Sequence, residues 1–188
     1  MRALQWIVGI ALIFLLVMWA GTLVHEVGHA LVAMAYGARV AEMNVIGLTL
    51  FPKLRVHYEL GRFGYVAFDR GLPFRQDAIM RMAGSLSTLA LALTAQITLW
   101  LGPLRQTGPR LLVTGFCFSW LDLFLHTTLA VVGWQPMTYA EAYNALMAIG
   151  APDWLVVSAV IGVSALLLAL TGARGFHWSN WSSGFPLS

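Results

Sequence analysis

The sequence predicts an all-α polytopic membrane protein with about four transmembrane helices and a small membrane-associated β-hairpin between the first two. Hydrophobic residues occupy 59% of the 188 positions and charged residues only 10%, whereas soluble domains carry about 25% charged residues. Four apolar segments are also long enough to cross the bilayer core, which takes about 20 helical residues. We place them at residues 4–36, 82–101, 111–133 and 154–171 of a single domain, residues 1–188.

The first apolar segment could also be a secretory signal peptide, because Met1 and Arg2 precede it. We favour a transmembrane helix. The apolar run at residues 4–24 is longer than the about 7–15 residues of a signal-peptide core, and no small-residue cleavage site follows it.

The first loop, residues 37–81, has a different composition. Residues 53–59 alternate roughly in polarity, and a second short run at residues 63–68 follows a Gly61-Arg62 turn signal. This pattern predicts a small β-hairpin or a sheet edge within about residues 45–69. Because an open strand edge cannot face lipid, we expect the hairpin at the interface or over a cavity of the bundle. The third loop is expected to contain a short interfacial helix at residues 137–149.

The distribution of basic residues predicts the orientation of the chain. The net charge is +3, but Lys and Arg are scattered among the loops, which argues against a nucleic-acid partner. Seven of the 11 lie in the first loop and none in the third. Since cytoplasmic loops carry an excess of Lys and Arg, we expect the first loop in the cytoplasm of a bacterial-type cytoplasmic membrane. The sequence does not predict an oligomeric state.

The string His25-Glu26-Val27-Gly28-His29 lies towards the C-terminal end of the first apolar segment. Residues four apart share one face of a helix, so both imidazoles can bind one metal ion while Glu26 reaches a water beside it. In this HExxH arrangement the two histidines bind zinc and the Glu acts as general base. A charge near the bilayer centre costs about 2.5–3.5 kcal/mol, so this polar turn needs compensation. The alternative is a polar helix-packing cluster or a set of side chains among lipid headgroups.

A catalytic zinc site normally has three protein ligands. The further acidic or His residues expected at membrane depth are Asp122 and His126, four apart in the third segment. We predict Asp122 as the third ligand of one Zn²⁺ ion. His126 is then an orienting partner or transition-state donor, or equally a packing residue. Glu141 and Asp153 are interpreted as solvated loop charges.

With these residues the chain resembles the site-2 protease family of intramembrane zinc metalloproteases. The likeness covers roughly residues 20–125 and preserves the family's order of motifs. After the first catalytic helix, similar stretches enter the family's β-hairpin: Gly37-Ala38-Arg39-Val40, Ile46-Gly47 and Pro52-Lys53-Leu54. The next span begins with Ala83-Gly84-Ser85-Leu86-Ser87-Thr88, similar to Ala-Gly-Pro-Leu-x-Asn. Leu121-Asp122 is similar to the family's Leu-Asp-Gly, whose Asp is the third zinc ligand.

The resemblance implies hydrolysis of peptide bonds in or near the transmembrane segments of membrane-protein substrates. The chain departs from the family at Ser85, where Pro is usual, at Thr88, where Asn is usual, and at Leu123, which replaces Gly. Ser85 and Thr88 are candidates for contact with substrate or with a metal ligand, although with Gly84 they most simply allow close helix packing. No stretch is long enough for a PDZ domain, so we expect a divergent short member.

Two other classes of function remain as alternatives. One is a non-proteolytic membrane protein that uses its zinc site to bind or regulate a partner, which the missing family residues favour. The other is a transport or channel component whose polar intramembrane residues line a pathway. Zinc content and Glu26-dependent cleavage distinguish the three classes.

Overall fold

The computed structural model describes residues 2–57, 63–102, 104, 106–129, 131 and 141–175. The chain is mostly helical, and four of its helical segments are long and apolar enough to cross a membrane. A small antiparallel sheet lies between the first two. The predicted number of long apolar helices and the β-structure in the first loop are therefore confirmed.

Six α-helices occur in the described residues: α1 Arg2–Ala35, α2 Phe74–Leu101, α3 Thr107–Phe116, α4 Leu121–Phe124, α5 Glu141–Ala148 and α6 Asp153–Gly175. A 3₁₀ turn, Cys117–Trp120, joins α3 to α4, and a π-turn, Leu125–Leu129, follows α4. Residues 107–129 therefore form a continuous but irregular helical segment.

The boundaries of the second span differ most from the prediction. α2 begins at Phe74 rather than at residue 82. Its first turns are polar, but Arg81 Nε lies 2.7 Å from Asp77 Oδ2 one turn away, and such a pair supports a helix. The fourth long helix, Asp153–Gly175, is also longer than the predicted segment, residues 154–171. Residues 130 and 132–133 of the predicted third span lie outside the described residues.

The first loop folds into a four-stranded sheet with the order β3-β2-β1-β4. The strands are β1 Val40–Val45, β2 Leu48–Phe51, β3 Arg55–Val56 and β4 Gly64–Phe68. The two expected strands do not form a hairpin with each other, because β3 pairs with β2 and β4 pairs with β1. They lie instead at the two edges of the sheet, as the sheet-edge alternative predicted. The expected Gly61-Arg62 turn lies outside the described residues.

The turn between β1 and β2 explains why the sequence did not reveal these strands. Ile46 and Gly47 both have positive φ, 47° and 77°, as a two-residue type I′ hairpin turn requires. Its usual Asn-Gly or Asp-Gly signal is absent. Asn44 supports the turn instead, since its side-chain oxygen accepts a hydrogen bond from Gly47 N at 3.1 Å and its amide donates to Thr49 Oγ1 at 3.1 Å.

The sheet packs beside the C-terminal part of α1. A Cβ atom on Gly64 of β4 would lie 2.6 Å from Glu26 Oε1 and 2.7 Å from Thr22 Cγ2, so glycine permits this close approach. At about 1.5 Å per residue, Glu26 lies about 14 Å before the end of α1 at Ala35. The start of β4 therefore lies alongside α1, close to the polar turn formed by residues 25–29.

Small residues bring α1 and α2 together. A Cβ atom on Gly28 would lie 2.6 Å from Ala83 O and would also overlap Ser87 Oγ, and such close contacts are typical of packed membrane helices. On the far side of α2, Thr171 of α6 donates a hydrogen bond to Gln96 Oε1 at 3.1 Å. α2 thus lies between α1 and α6 and positions the residues that face the polar turn of α1.

Candidate metal centre

Two imidazoles meet at the polar turn of α1. His25 and His29 are 7% and 5% exposed, and their Nε2 atoms lie 2.9 Å apart. The rings form a T-shaped pair with centroids 4.6 Å apart. The spacing of four residues therefore places both rings on one face of α1, and the fold turns that face inward.

A carboxylate oxygen of Glu141 lies at the same point. Glu141 Oε2 is 3.3 Å from His25 Nε2 and 3.0 Å from His29 Nε2. Burial alone raises the pKa of Glu141, but the neighbouring imidazoles of His25 and His29 outweigh burial and hold this pKa well below its usual range. The ionised carboxylate can bind a cation. The interpretation of Glu141 as a solvated loop charge is therefore wrong.

Helix α5 positions Glu141. This residue is the first of α5, whose buried side chains, Ala142, Tyr143 and Ala145, face the bundle. α5 packs mainly against α2 and also contacts the π-turn after α4. The helix expected at residues 137–149 is thus present over the described residues, and it docks on the bundle beside the polar turn of α1.

Asp122 lies on the opposite side of the His25 ring. Its Oδ2 is 3.0 Å from His25 Nδ1 and accepts a 3.1 Å hydrogen bond from Thr88 Oγ1. Its Oδ1 is 3.6 Å from His126 Nε2. Asp122 therefore contacts one nitrogen of His25, and Glu141 contacts the other.

His29, like His25, has an oxygen acceptor beside its Nδ1 atom. Its Nδ1 lies 2.7 Å from the backbone oxygen of Met80 in α2. Each ring therefore has Nδ1 beside an oxygen acceptor and Nε2 at the shared point. Histidines that bind a metal are typically held in this way, because the hydrogen bond at one nitrogen orients the ring and leaves the lone pair of the other free.

The distances at the shared point are close to those between the ligand atoms of a bound metal ion. Tetrahedral bonds of about 2.0–2.2 Å place neighbouring ligand atoms about 3.3–3.6 Å apart. The separations among the two Nε2 atoms and Glu141 Oε2 are 2.9, 3.0 and 3.3 Å, close to this range. Two imidazoles with one Glu also form a donor set found in catalytic zinc sites. His25, His29 and Glu141 are thus a buried group that could hold a metal ion.

Gly84 of α2 leaves the space beside these atoms free. A Cβ atom on Gly84 would lie 2.5 Å from His29 Nε2 and 2.6 Å from His25 Nε2. Contacts under 3.0 Å are essentially never made by real Cβ atoms. The sequence suggested close helix packing for Gly84, and the structure shows that the packed neighbours are the two imidazole nitrogens.

The remaining predicted residues lie around this group. Thr88 contacts Asp122, and Ser85 is fully buried. The His126 ring is 5.6 Å from that of His25, centroid to centroid. Glu26 is 5% exposed, faces β4, and lies close enough to both metal-site histidines for electrostatic interaction.

Comparison of the chain with models of known protein families, with curated proteins and with solved structures found no significant match. The resemblance to the site-2 protease family therefore stays a prediction that rests on the motifs named above. The convergence of His25, His29 and Glu141 is independent of that resemblance.

Proposed function

We propose that this protein is an intramembrane zinc metalloprotease that hydrolyses peptide bonds in or near the transmembrane segments of other membrane proteins. One observation carries the proposal: two imidazole nitrogens of α1, from the turn that also carries Glu26, converge with a carboxylate oxygen of Glu141, and α1 is apolar enough to cross a membrane. The HExxH spacing supplies the two histidines and the base, and the neighbouring elements supply the carboxylates.

A bound zinc ion and the side chain of Glu26 would contribute different parts of the hydrolysis. A zinc ion held by His25, His29 and a carboxylate would act as a Lewis acid and lower the pKa of a water towards about 7. Glu26 then takes a proton from the attacking water and delivers it to the departing amine. Glu26 is buried beside Gly64. Bulk water therefore has little access to its carboxylate and does not compete for the proton that Glu26 transfers.

The sheet supports a way of presenting the substrate. A transmembrane helix protects its carbonyl groups with its own hydrogen bonds, so the bond to be cut must first become extended. β4 is an edge strand, and its first residue, Gly64, lies against Glu26. Since an edge strand can pair with an extended peptide, we propose that β4 holds the unwound substrate beside the general base.

We also propose that the four long helices span a cytoplasmic membrane, with the first loop on the cytoplasmic side. The apolar surface of α1 supports insertion, since Leu12, Phe14 and Leu15 are each 61% exposed. The excess of basic residues in the first loop supports the orientation. A Lys53→Cys variant should react with a membrane-impermeant maleimide in inverted vesicles and not in intact cells. Wild type, whose Cys117 is buried, is the control, and labelling in intact cells would reverse the orientation.

Removal of the metal tests the catalytic part of the proposal. The full chain is reconstituted in liposomes with solubilised membrane proteins of the expression host, and new amino termini are identified by chemical labelling and mass spectrometry. We expect about one zinc per chain and new termini in or beside transmembrane segments. They should disappear after treatment with 1,10-phenanthroline and return when zinc is added.

Two outcomes would contradict the proposed activity. Bound zinc without any metal-dependent new terminus would point to a non-proteolytic zinc-binding membrane protein. A chain purified under gentle extraction that neither contains zinc nor takes it up would exclude the metal centre itself.

A further inference from the structure

We infer that Glu141 is the third metal ligand and that Asp122 is a positioning residue that orients His25. This inference rests on the proposed metal centre and assigns different roles to its two carboxylates. It differs from the expectation drawn from the sequence, in which Asp122 completes the site and Glu141 has no part in it.

Asp122 and Glu141 contact different ring nitrogens of His25. An ion shared with His29 must lie on the Nε2 side of His25, because the two Nε2 atoms are 2.9 Å apart. Glu141 Oε2 lies on this side, 3.3 Å from His25 Nε2. Asp122 Oδ2 lies 3.0 Å from Nδ1, and the lone pairs of the two ring nitrogens point in diverging directions. An oxygen held at Nδ1 is therefore not within about 2.0–2.2 Å of an ion on Nε2.

The other contacts of Asp122 agree with an orienting role. Its Oδ2 also accepts the hydroxyl of Thr88 at 3.1 Å, and its Oδ1 faces His126 Nε2 at 3.6 Å. A carboxylate that accepts the Nδ1 proton of His25 leaves the lone pair on Nε2 and raises the basicity of the ring. Asp122 thus prepares His25 for the ion without touching it.

The position of Glu141 couples the metal to the docking of α5. This helix has eight residues, and isolated helices shorter than about 12–15 residues are marginal in stability. An ion that binds only when Glu141 is in place stabilises the docked position of α5. We therefore expect zinc to protect the backbone amides of α5 from hydrogen exchange.

The affinity for zinc tests the assignment in the full chain. Glu141→Gln and Asp122→Asn each replace a carboxylate by an amide of similar size, and zinc dissociation constants are measured by competition with a chromophoric chelator. Loss of an orienting partner typically costs about 10–100-fold in metal affinity, which we expect for Asp122→Asn. Glu141→Gln should cost more than about 100-fold, since it removes a ligand.

A matched control and a folding check accompany these variants. Asp77→Asn alters a carboxylate that pairs with Arg81 and lies outside the metal group, so its zinc affinity should equal that of wild type. Thermal unfolding of the metal-free forms should be similar for all three variants. Unchanged unfolding shows that a loss of zinc affinity arises at the site.

Hydrogen exchange of α5 distinguishes a ligand from a merely structural residue. At saturating zinc, exchange of residues 141–148 should slow in wild type and in Asp122→Asn, but not in Glu141→Gln. The inference is overturned if Glu141→Gln keeps the zinc affinity of wild type, or if Asp122→Asn loses more zinc affinity than Glu141→Gln does. Protection of α5 by zinc in Glu141→Gln would also overturn it. These results leave the protease proposal intact. Wild-type zinc binding without cleavage refutes the protease proposal and leaves the ligand assignment intact.

Discussion

Replacement of Glu26 by Gln should nearly abolish peptide-bond cleavage and leave zinc bound. Gln has almost the same size and can keep the packing against Gly64, but it cannot take up and return a proton. Loss of a general acid–base group typically lowers the rate by about 10²–10⁴-fold. Zinc affinity should stay close to that of wild type, because Glu26 is not one of the three side chains whose atoms converge.

The rate of formation of new amino termini and the zinc content are measured on the same preparations. Glu42→Gln is the matched control, since Glu42 is a carboxylate of the sheet that accepts hydrogen bonds from Arg55 and Tyr65 and lies outside the metal group. Its cleavage rate should be unchanged. Cleavage at the wild-type rate in Glu26→Gln would refute the general-base role, and loss of zinc in this variant would make Glu26 a ligand.

A single methyl group at position 84 should weaken metal binding. The Cβ atom of Gly84→Ala would lie 2.5 and 2.6 Å from the Nε2 atoms of His29 and His25, so the rings or α2 must shift. Overpacking of this kind typically costs about 1–3 kcal/mol of stability. Loss of an orienting partner typically lowers metal affinity by about 10–100-fold. We expect the zinc affinity of Gly84→Ala to fall by at least this factor and the cleavage rate to fall with it.

Gly21→Ala is the control for this substitution. Gly21 lies on α1, and nothing lies within 4 Å of the point that a Cβ atom would occupy there, so the added methyl group should leave zinc affinity unchanged. Zinc dissociation constants and thermal unfolding in detergent are compared for both variants. If Gly84→Ala binds zinc as wild type does, the imidazoles can retreat from α2, and the close contact at Gly84 does not determine the site.

The sequence by itself determined the features that depend on local geometry. The long apolar runs predict four helices because each run matches the length of a span, and the structure has four such helices. The shared face of His25 and His29 follows from the helical repeat alone. Local signals failed where they were unusual: the Ile46-Gly47 turn lacks the common hairpin residues, and the charged start of α2 resembled a loop.

The roles of the two carboxylates depended on tertiary structure. The contact of Glu141 with His29 joins residues 112 positions apart, and it requires α5 to dock against α2 and the π-turn. Asp122 was placed near the site by its depth in the third span, but depth does not specify which ring nitrogen it meets. Periodicity reports which residues share a face of one helix, whereas the meeting of atoms from different elements is decided by how those elements pack.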